Sequence, residues 1–239
     1  ESSWSPPKGN WAFSIRRLNF SGVGESAGLF FHCRFWAGCW KCLPIILSSG
    51  MSTLEEIEAS IFYLKEVNPR VALLHCVSQY PCPPKDLNLK TIEFFNEKFA
   101  LPIGFSDHSL GIESSLGAVA LGATIIEKHF SLSRDLWGAD HQVSLTQEEF
   151  FNLSEGIRVI KNDVNKKNKI LSRASVKMSL GKKDKILQIR EAQFRLLFRK
   201  ALMAGCEIVA GTVLEPEMIY AMRPQAYAAG LPSEEYAKV

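Results

Sequence analysis

From residue 43 onward, apolar and polar positions fall into blocks that read as strand, helix, strand, helix. Residues 44–48 form a short apolar run of strand length that ends in Ser-Ser-Gly-Met. Ser52-Thr53-Leu54-Glu55 has capping-box spacing, with Ser52 at the cap. Leu54, Ile57, Ile61 and Leu64 then share one helical face until Asn68-Pro69 ends the helix. Residues 71–77 are a second apolar run, 87–99 an amphipathic helix, 103–106 a short strand, 112–121 an Ala/Gly-rich helix and 123–130 a further strand. Thr146-x-x-Glu149 repeats the capping box and opens a helix to the neighbourhood of Val164. Strand and helix in repeating units predict parallel β/α architecture. The runs are apolar throughout, as strands covered on both faces should be.

The two ends of the chain differ from this middle. Residues 1–42 show no persistent helical or strand period, and they hold Trp4, Trp11, Trp36, Trp40, Cys33, Cys39 and Cys42. After Asn165, Lys166-Lys167-Asn168-Lys169 reads as a polar connector, and 185–200 as helical in part. Short β-like pieces follow at 200–204, 207–208, 211–214 and 218–223, punctuated by Gly and Pro. They predict a small β-rich second domain, inside which the chain stops at Val239.

Composition narrows the function only a little. A chain of 239 residues has room for one large domain, or one medium and one small. A net charge of +3 is too small to suggest nucleic acid as a partner, and the Lys runs near Lys166 and Lys182 read as solvated surface. No apolar run is long enough to cross a bilayer, so no membrane role is expected. No secretory signal is visible in the polar, Pro-rich residues 1–10, and the first residue is Glu rather than Met, which suggests a fragment. Six cysteines without framework spacing point to a reducing, cytoplasmic setting.

Polar residues gather where the predicted strands end: Ser48 and Ser49, then Ser78 and Tyr80, then Ser106-Asp107-His108, then Glu127-Lys128-His129. In a β/α barrel this rim is where active sites are built. His108 and His129 each stand at a strand end, one helix and its turns apart, so adjacent parallel strands would bring both imidazoles to one position. Two such imidazoles suit a divalent transition metal, or else each is a hydrogen-bonded rim residue. His75 lies within an apolar strand and reads as a core histidine; His141, beside Asp140, reads equally as loop or site. Cys39-Trp40-Lys41-Cys42 is a lone CxxC with no second pair at ribbon spacing and no surrounding βαβ pattern, so neither zinc nor thiol redox chemistry is favoured. The chain has no G-x-G-x-x-G and no P-loop, so a bound phosphate would rely on rim hydroxyls, backbone amides and Lys side chains.

These residues resemble a known family. PIILSSGM at 44–51, LHCVSQYP at 74–81, GFSDHS at 104–109 and IEKHF at 126–130 are similar to the sialic acid synthases, as is Gly138-Ala139-Asp140 before the helix at Thr146. That family includes N-acetylneuraminate, legionaminate and pseudaminate synthases and spore-coat polysaccharide homologues. RKAL at 199–202, IVAGTVL at 208–214 and MRP at 222–224 resemble its C-terminal antifreeze-like (SAF) domain. The resemblance implies an α/β chain: the C-terminal half of a TIM (β/α)8 barrel, strands five to eight, over 43–165, a linker over 166–195 and a truncated SAF domain over 196–239.

The implied function is the condensation of phosphoenolpyruvate with an N-acylated amino sugar, such as N-acetylmannosamine, to a nonulosonic acid with release of phosphate. His108 and His129 would hold Mn²⁺, with Mg²⁺ or Co²⁺ as substitutes. Ser48, Ser78 and Ser106 would contact phosphoenolpyruvate, and Tyr80 and Asp140 the amino sugar. Glu127 would sit between metal, substrate and water. Arg223 would reach the partner subunit's site in a domain-swapped homodimer. Residues 1–42 do not resemble the family's first four strands and are too short to encode them. Two rival readings follow: a different phosphoenolpyruvate-condensing or aldolase-type barrel, which would lack the SAF segment, and a catalytically inactive or sugar-binding remnant, which would show no turnover.

Overall fold

A computed structural model of the chain describes residues 13–15, 44–226, 228 and 230–233. The expectations placed on the rest of residues 1–42, the CxxC among them, lie outside the described residues. Strands β1 (Phe13–Ile15), β2 (Ile45–Ser48), β3 (Val71–Cys76), β4 (Ile103–Asp107) and β5 (Ile125–Lys128) form one sheet in the order β1-β5-β4-β3-β2. All four pairings are parallel. The helices are α1 (Leu54–Val67), α2 (Thr91–Lys98), α3 (Glu113–Ala120), α4 (Ala139–Val143), α5 (Gln147–Ile160), α6 (Val164–Leu171), α7 (Ala174–Leu180) and α8 (Ile189–Phe198). Strands β6 (Ala201–Ala204), β7 (Ile219–Met222) and β8 (Leu231–Pro232) make a second, antiparallel sheet in the order β7-β6-β8.

Strand side chains alternate between faces, and the two faces of the large sheet have different fates. Leu47, Leu73, Ile103, Phe105 and Ile126 join Ile57, Ile61, Ile92, Phe95, Leu153 and Ile157 in the main core between sheet and helices. The opposite face is thin: Ala72, Leu74 and Ile125 form a separate small cluster. Gly104 lies in register with Leu74, and a Cβ there would come within 2.4 Å of Leu74 and 2.5 Å of the Ile125 carbonyl. Ile46, in register with Ala72, is 44% exposed. A sheet with helices on one side and a narrow, small-residue surface on the other has the layering of part of a β/α barrel wall.

Several expectations are corrected. The first capping box is one residue later than expected: Thr53 is the cap, accepting from the Glu56 N–H, while Glu56 accepts from the Thr53 N–H at 2.8 Å. Ser52 instead donates to the Gly50 carbonyl. The 87–99 helix begins only at Thr91, because Asn88 takes a left-handed φ of 50° that interrupts helical propagation. Residues 13–15, expected to lack a period, form β1 and occupy one edge of the sheet beside β5. The expected connector after Asn165 is helical: Asp163 caps α6, and Ile170 and Val176 are buried where α6 and α7 pack on α3. In the second sheet, 207–208 and 211–214 are irregular and largely exposed rather than strands, whereas β6 and β7 fall where β-like pieces were expected. No helix among the described residues is long and apolar enough to cross a membrane.

His75 belongs to the helix-facing layer, as expected of a core histidine. Its Nε2–H donates to the Leu87 carbonyl at 2.7 Å, and its ring stacks on Phe105 and meets Phe95 edge-on. Burial, helped by the charge of Lys185 and opposed by the Leu87 bond, lowers its pKa to about 3. The unfolded chain, whose His75 titrates near the ordinary ~6.5, therefore takes up the proton first as pH falls. Stability from this neutral histidine is complete above about 6.5 and is lost as pH drops toward 3. Denaturant titrations at pH 5 and pH 7 should differ by up to about 1.4 kcal/mol per pH unit from His75. His75→Gln should remove that share of the slope, and an unchanged slope would contradict the assignment.

Candidate active site

The alternation that sends His75 into the helix layer turns Cys76 to the thin face. There Cys76 Sγ lies 3.9 Å from Ser78 Oγ and 3.8 Å from His108 Nδ1, and Ser106 is its register partner on β4. Burial raises the pKa of this thiol, so it stays protonated. The Cys76 N–H donates to Ser49 Oγ at 3.1 Å. A Cβ on Gly50 would fall 2.3 Å from Ser78 Oγ and 3.0 Å from Cys76 Sγ, so a larger residue would force these side chains to shift. Ser106 and Glu127 are register partners on β4 and β5, and Ser106 Oγ donates to Glu127 Oε1 at 2.8 Å. Ser48, Cys76, Ser106 and Glu127 thus form a polar row across four neighbouring strands.

The histidines stand beyond this row. The His108 Nδ1–H donates to the Val77 carbonyl at 3.1 Å, and its Nε2 accepts from the Tyr80 hydroxyl at 2.8 Å. The rings of His108 and His129 are 5.3 Å apart, and Tyr80 lies 4.1 Å from the first and 5.7 Å from the second. Burial lowers the His108 pKa against the pull of the Val77 bond, so the ring is neutral at neutral pH. A carbonyl on Nδ1 fixes the tautomer and leaves an Nε2 lone pair, the usual preparation of an imidazole ligand. Among the described residues no group of three or more His, Cys, Asp or Glu converges as a metal cage. The donor set therefore fits an open site, with two imidazoles and remaining positions for a carboxylate, water or substrate.

A buried ion pair stands directly behind the histidines. Lys128 Nζ and Asp107 Oδ2 are 3.1 Å apart, and both side chains are fully buried. Asp107 also accepts from the Ser109 N–H and Oγ, and from Ser115 Oγ on α3, while Lys128 donates to the Ser109 carbonyl. The pair joins the ends of β4 and β5 one residue before His108 and one before His129.

The segment after the β/α unit adds two groups that sequence reasoning missed. Glu191 of α8 is fully buried and accepts hydrogen bonds from the Met51 and Ser78 N–H groups. Lys185 has a half-buried stem, but its Nζ is buried without a hydrogen-bond partner and lies electrostatically close to Glu191 and Cys76. Burial lowers its pKa against the attraction of Glu191. The only sequence signal was Glu191 at capping-box spacing from Gln188. Of the other candidates, Asp140 is half-buried on α4, Arg223 follows β7 on the second sheet with a buried, unpartnered Nη1, and His141 Nδ1 bonds Ser131 Oγ at 2.8 Å.

Parallel β/α architecture with a hydroxyl row, a carboxylate and a histidine pair at its strand ends has the layout of part of a β/α barrel with its polar rim. Residues 37–169 match the NeuB family, and the chain belongs to it. It is 34% identical over 219 residues to N,N'-diacetyllegionaminic acid synthase of Legionella pneumophila, covering 89% of this chain and 56% of that protein. It is 32% identical over 180 residues to the N-acetylneuraminate-9-phosphate synthase of Homo sapiens, covering 75% and 46%. The crystal structure of the spore coat polysaccharide biosynthesis protein spsE from Bacillus subtilis superposes with a TM-score of 0.70 at 29% identity, covering 82% and 55%. The chain spans about half the length of the curated relatives it matches.

Breaking a buried pair costs about 3–5 kcal/mol, because the remaining charge is left uncompensated. Lys128→Met should therefore lower the unfolding free energy by about that amount, and Lys128→Met with Asp107→Asn by less than the two single losses summed. Denaturant unfolding of the three variants measures this, and additive losses would show that the two side chains are not coupled.

Proposed function

We propose that this chain carries the metal-binding and hydroxyl-rich part of a site that condenses phosphoenolpyruvate with an N-acylated amino sugar, forming a nonulosonic acid and releasing phosphate. The observation that carries the reading is the clustering of the His108, His129 and Tyr80 rings at the strand ends that bear the hydroxyl row, with the buried, unpartnered Lys185 Nζ electrostatically close to Cys76 of that row. Family membership and the names of the relatives support the same reaction class.

In this reading His108 and His129 hold a divalent ion, Mn²⁺ before Mg²⁺ or Co²⁺. When bound, the ion supplies a Lewis acid for the sugar's open-chain aldehyde. Ser48 and Ser78 donate to phosphoenolpyruvate, Ser106 contacts it while its own proton stays on Glu127, and Lys185 supplies the cation that its phosphate needs. Tyr80, released from His108, and Asp140 orient the amino sugar. The enol carbon attacks the aldehyde carbon, water adds at the former enol C2 and phosphate leaves. Glu127, fixed by Ser106 Oγ, is placed to orient that water and take its proton.

Residues 196–239 act as an SAF-type domain, and Arg223 reaches the sugar in the partner subunit of a domain-swapped homodimer. The second reading, a catalytically inactive or sugar-binding homologue, predicts no turnover.

Calorimetry with Mn²⁺ tests the proposal. His108→Ala and His129→Ala together should abolish the binding of the parent chain, and equal affinity in parent and double variant would defeat the metal assignment. Residues 1–239 given phosphoenolpyruvate, Mn²⁺ and N-acetylmannosamine should not sustain phosphate release, because the sheet of the described residues is open and further cationic ligands are expected from the other barrel strands. Sustained release that needs both the sugar and His108 would show that these strands suffice.

A further inference from the structure

Glu191 lies on α8, outside the β/α unit, yet its carboxylate reaches the ends of two of that unit's strands. Oε1 accepts from the Met51 N–H at 3.0 Å and the Ser78 N–H at 2.8 Å, across 140 and 113 residues of chain. Oε2 accepts from the Gln188 N–H at 3.2 Å. The two long-range donors are not ordinary loop amides. Met51 holds a left-handed φ of 55°, unusual for a side chain of its size, so its N–H points where a regular turn would not send it. Ser78 carries the hydroxyl that a Cβ on Gly50 would meet at 2.3 Å.

One oxygen atom therefore fixes the distance between the loop after β2, which follows Ser48, and the loop after β3, which bears Ser78 and Tyr80. The helix that presents it is anchored in turn: Arg195 and Arg199 both pair with Glu56 in the first turn of α1. A buried carboxylate is costly without compensation, and here three N–H donors and the nearby Lys185 charge provide it.

We propose that Glu191 is a positioning residue: from beyond the β/α unit it sets the spacing of the β2 and β3 ends, and through them the Ser48 and Ser78 hydroxyls. The catalytic meaning of that spacing rests on the rim being a phosphoenolpyruvate site; the anchor itself does not.

Two conservative variants separate reach from charge. Glu191→Asp keeps the negative charge near Lys185 but is one methylene too short to hold both amides. Glu191→Gln keeps an Oε1 acceptor at full reach and loses the charge. Hydrogen exchange of the whole 239-residue chain reads the two amides directly. In Glu191→Asp, exchange at Met51 and Ser78 should rise roughly tenfold or more, the loss expected when hydrogen bonds to a charged group are released. In Glu191→Gln it should stay near the parent rate, and the interiors of α2 and α5 should be unchanged in both. Faster exchange in Glu191→Gln with none in Glu191→Asp would overturn the proposal in favour of a purely electrostatic role. An equal rise throughout α2 and α5 would overturn it in favour of a general stability contact, as would no change in either variant. Calorimetric titration of the parent with phosphoenolpyruvate, run alongside, tests the functional reading by itself: no binding there defeats that reading, while the exchange result still decides the anchor.

Discussion

The ion pair between Asp107 and Lys128 is the constraint on which the rest of the rim depends. Parallel strands fix which residues are neighbours, but not how their ends splay beyond the last ladder bond. A pair with no exposure, its carboxylate satisfied by Ser109 and Ser115 as well as by the ammonium, leaves the ends of β4 and β5 little freedom. The histidines follow one residue later on each strand. Their rings stand 5.3 Å apart, next in sequence to a pair of charges that solvent does not reach.

A second consequence of the strand period is chemical. In β3, consecutive residues face media of opposite kind. His75 enters the helix layer and stays neutral at a pKa of about 3, while Cys76 faces the hydroxyl row. A one-residue slip would put an imidazole among the serines and a thiol against Phe95 and Phe105. The thin face is as selective. Gly104, Ala72 and Leu74 leave space for a narrow interior, and Gly50 lets Ser78 approach.

Much of this was legible in the sequence, for identifiable reasons. Strand runs, capping boxes and the SDH and EKH motifs are local signals, and they located β2 to β5, α1, α3 and α5 to within a few residues. The cap at Thr53 was misplaced because Ser52 and Thr53 both have an acidic residue three positions on, and only tertiary packing chooses between them. The helices α6 and α7 were missed because each buries few residues, and in α6 three lysines dilute the pattern, so the apolar period is faint. Lys185 and Glu191 were invisible because their meaning is long-range: nothing near residue 191 announces that it will bond residues 51 and 78.

The central claim is that the rim brings a divalent ion and phosphoenolpyruvate together. Pulsed electron paramagnetic resonance of the chain loaded with Mn²⁺ tests it most directly. The account predicts nitrogen-14 modulation from His108 and His129, absent in the double alanine variant, and a phosphorus-31 coupling that appears when phosphoenolpyruvate is added. Manganese that shows only water protons, with no nitrogen modulation and no phosphorus coupling, would contradict it.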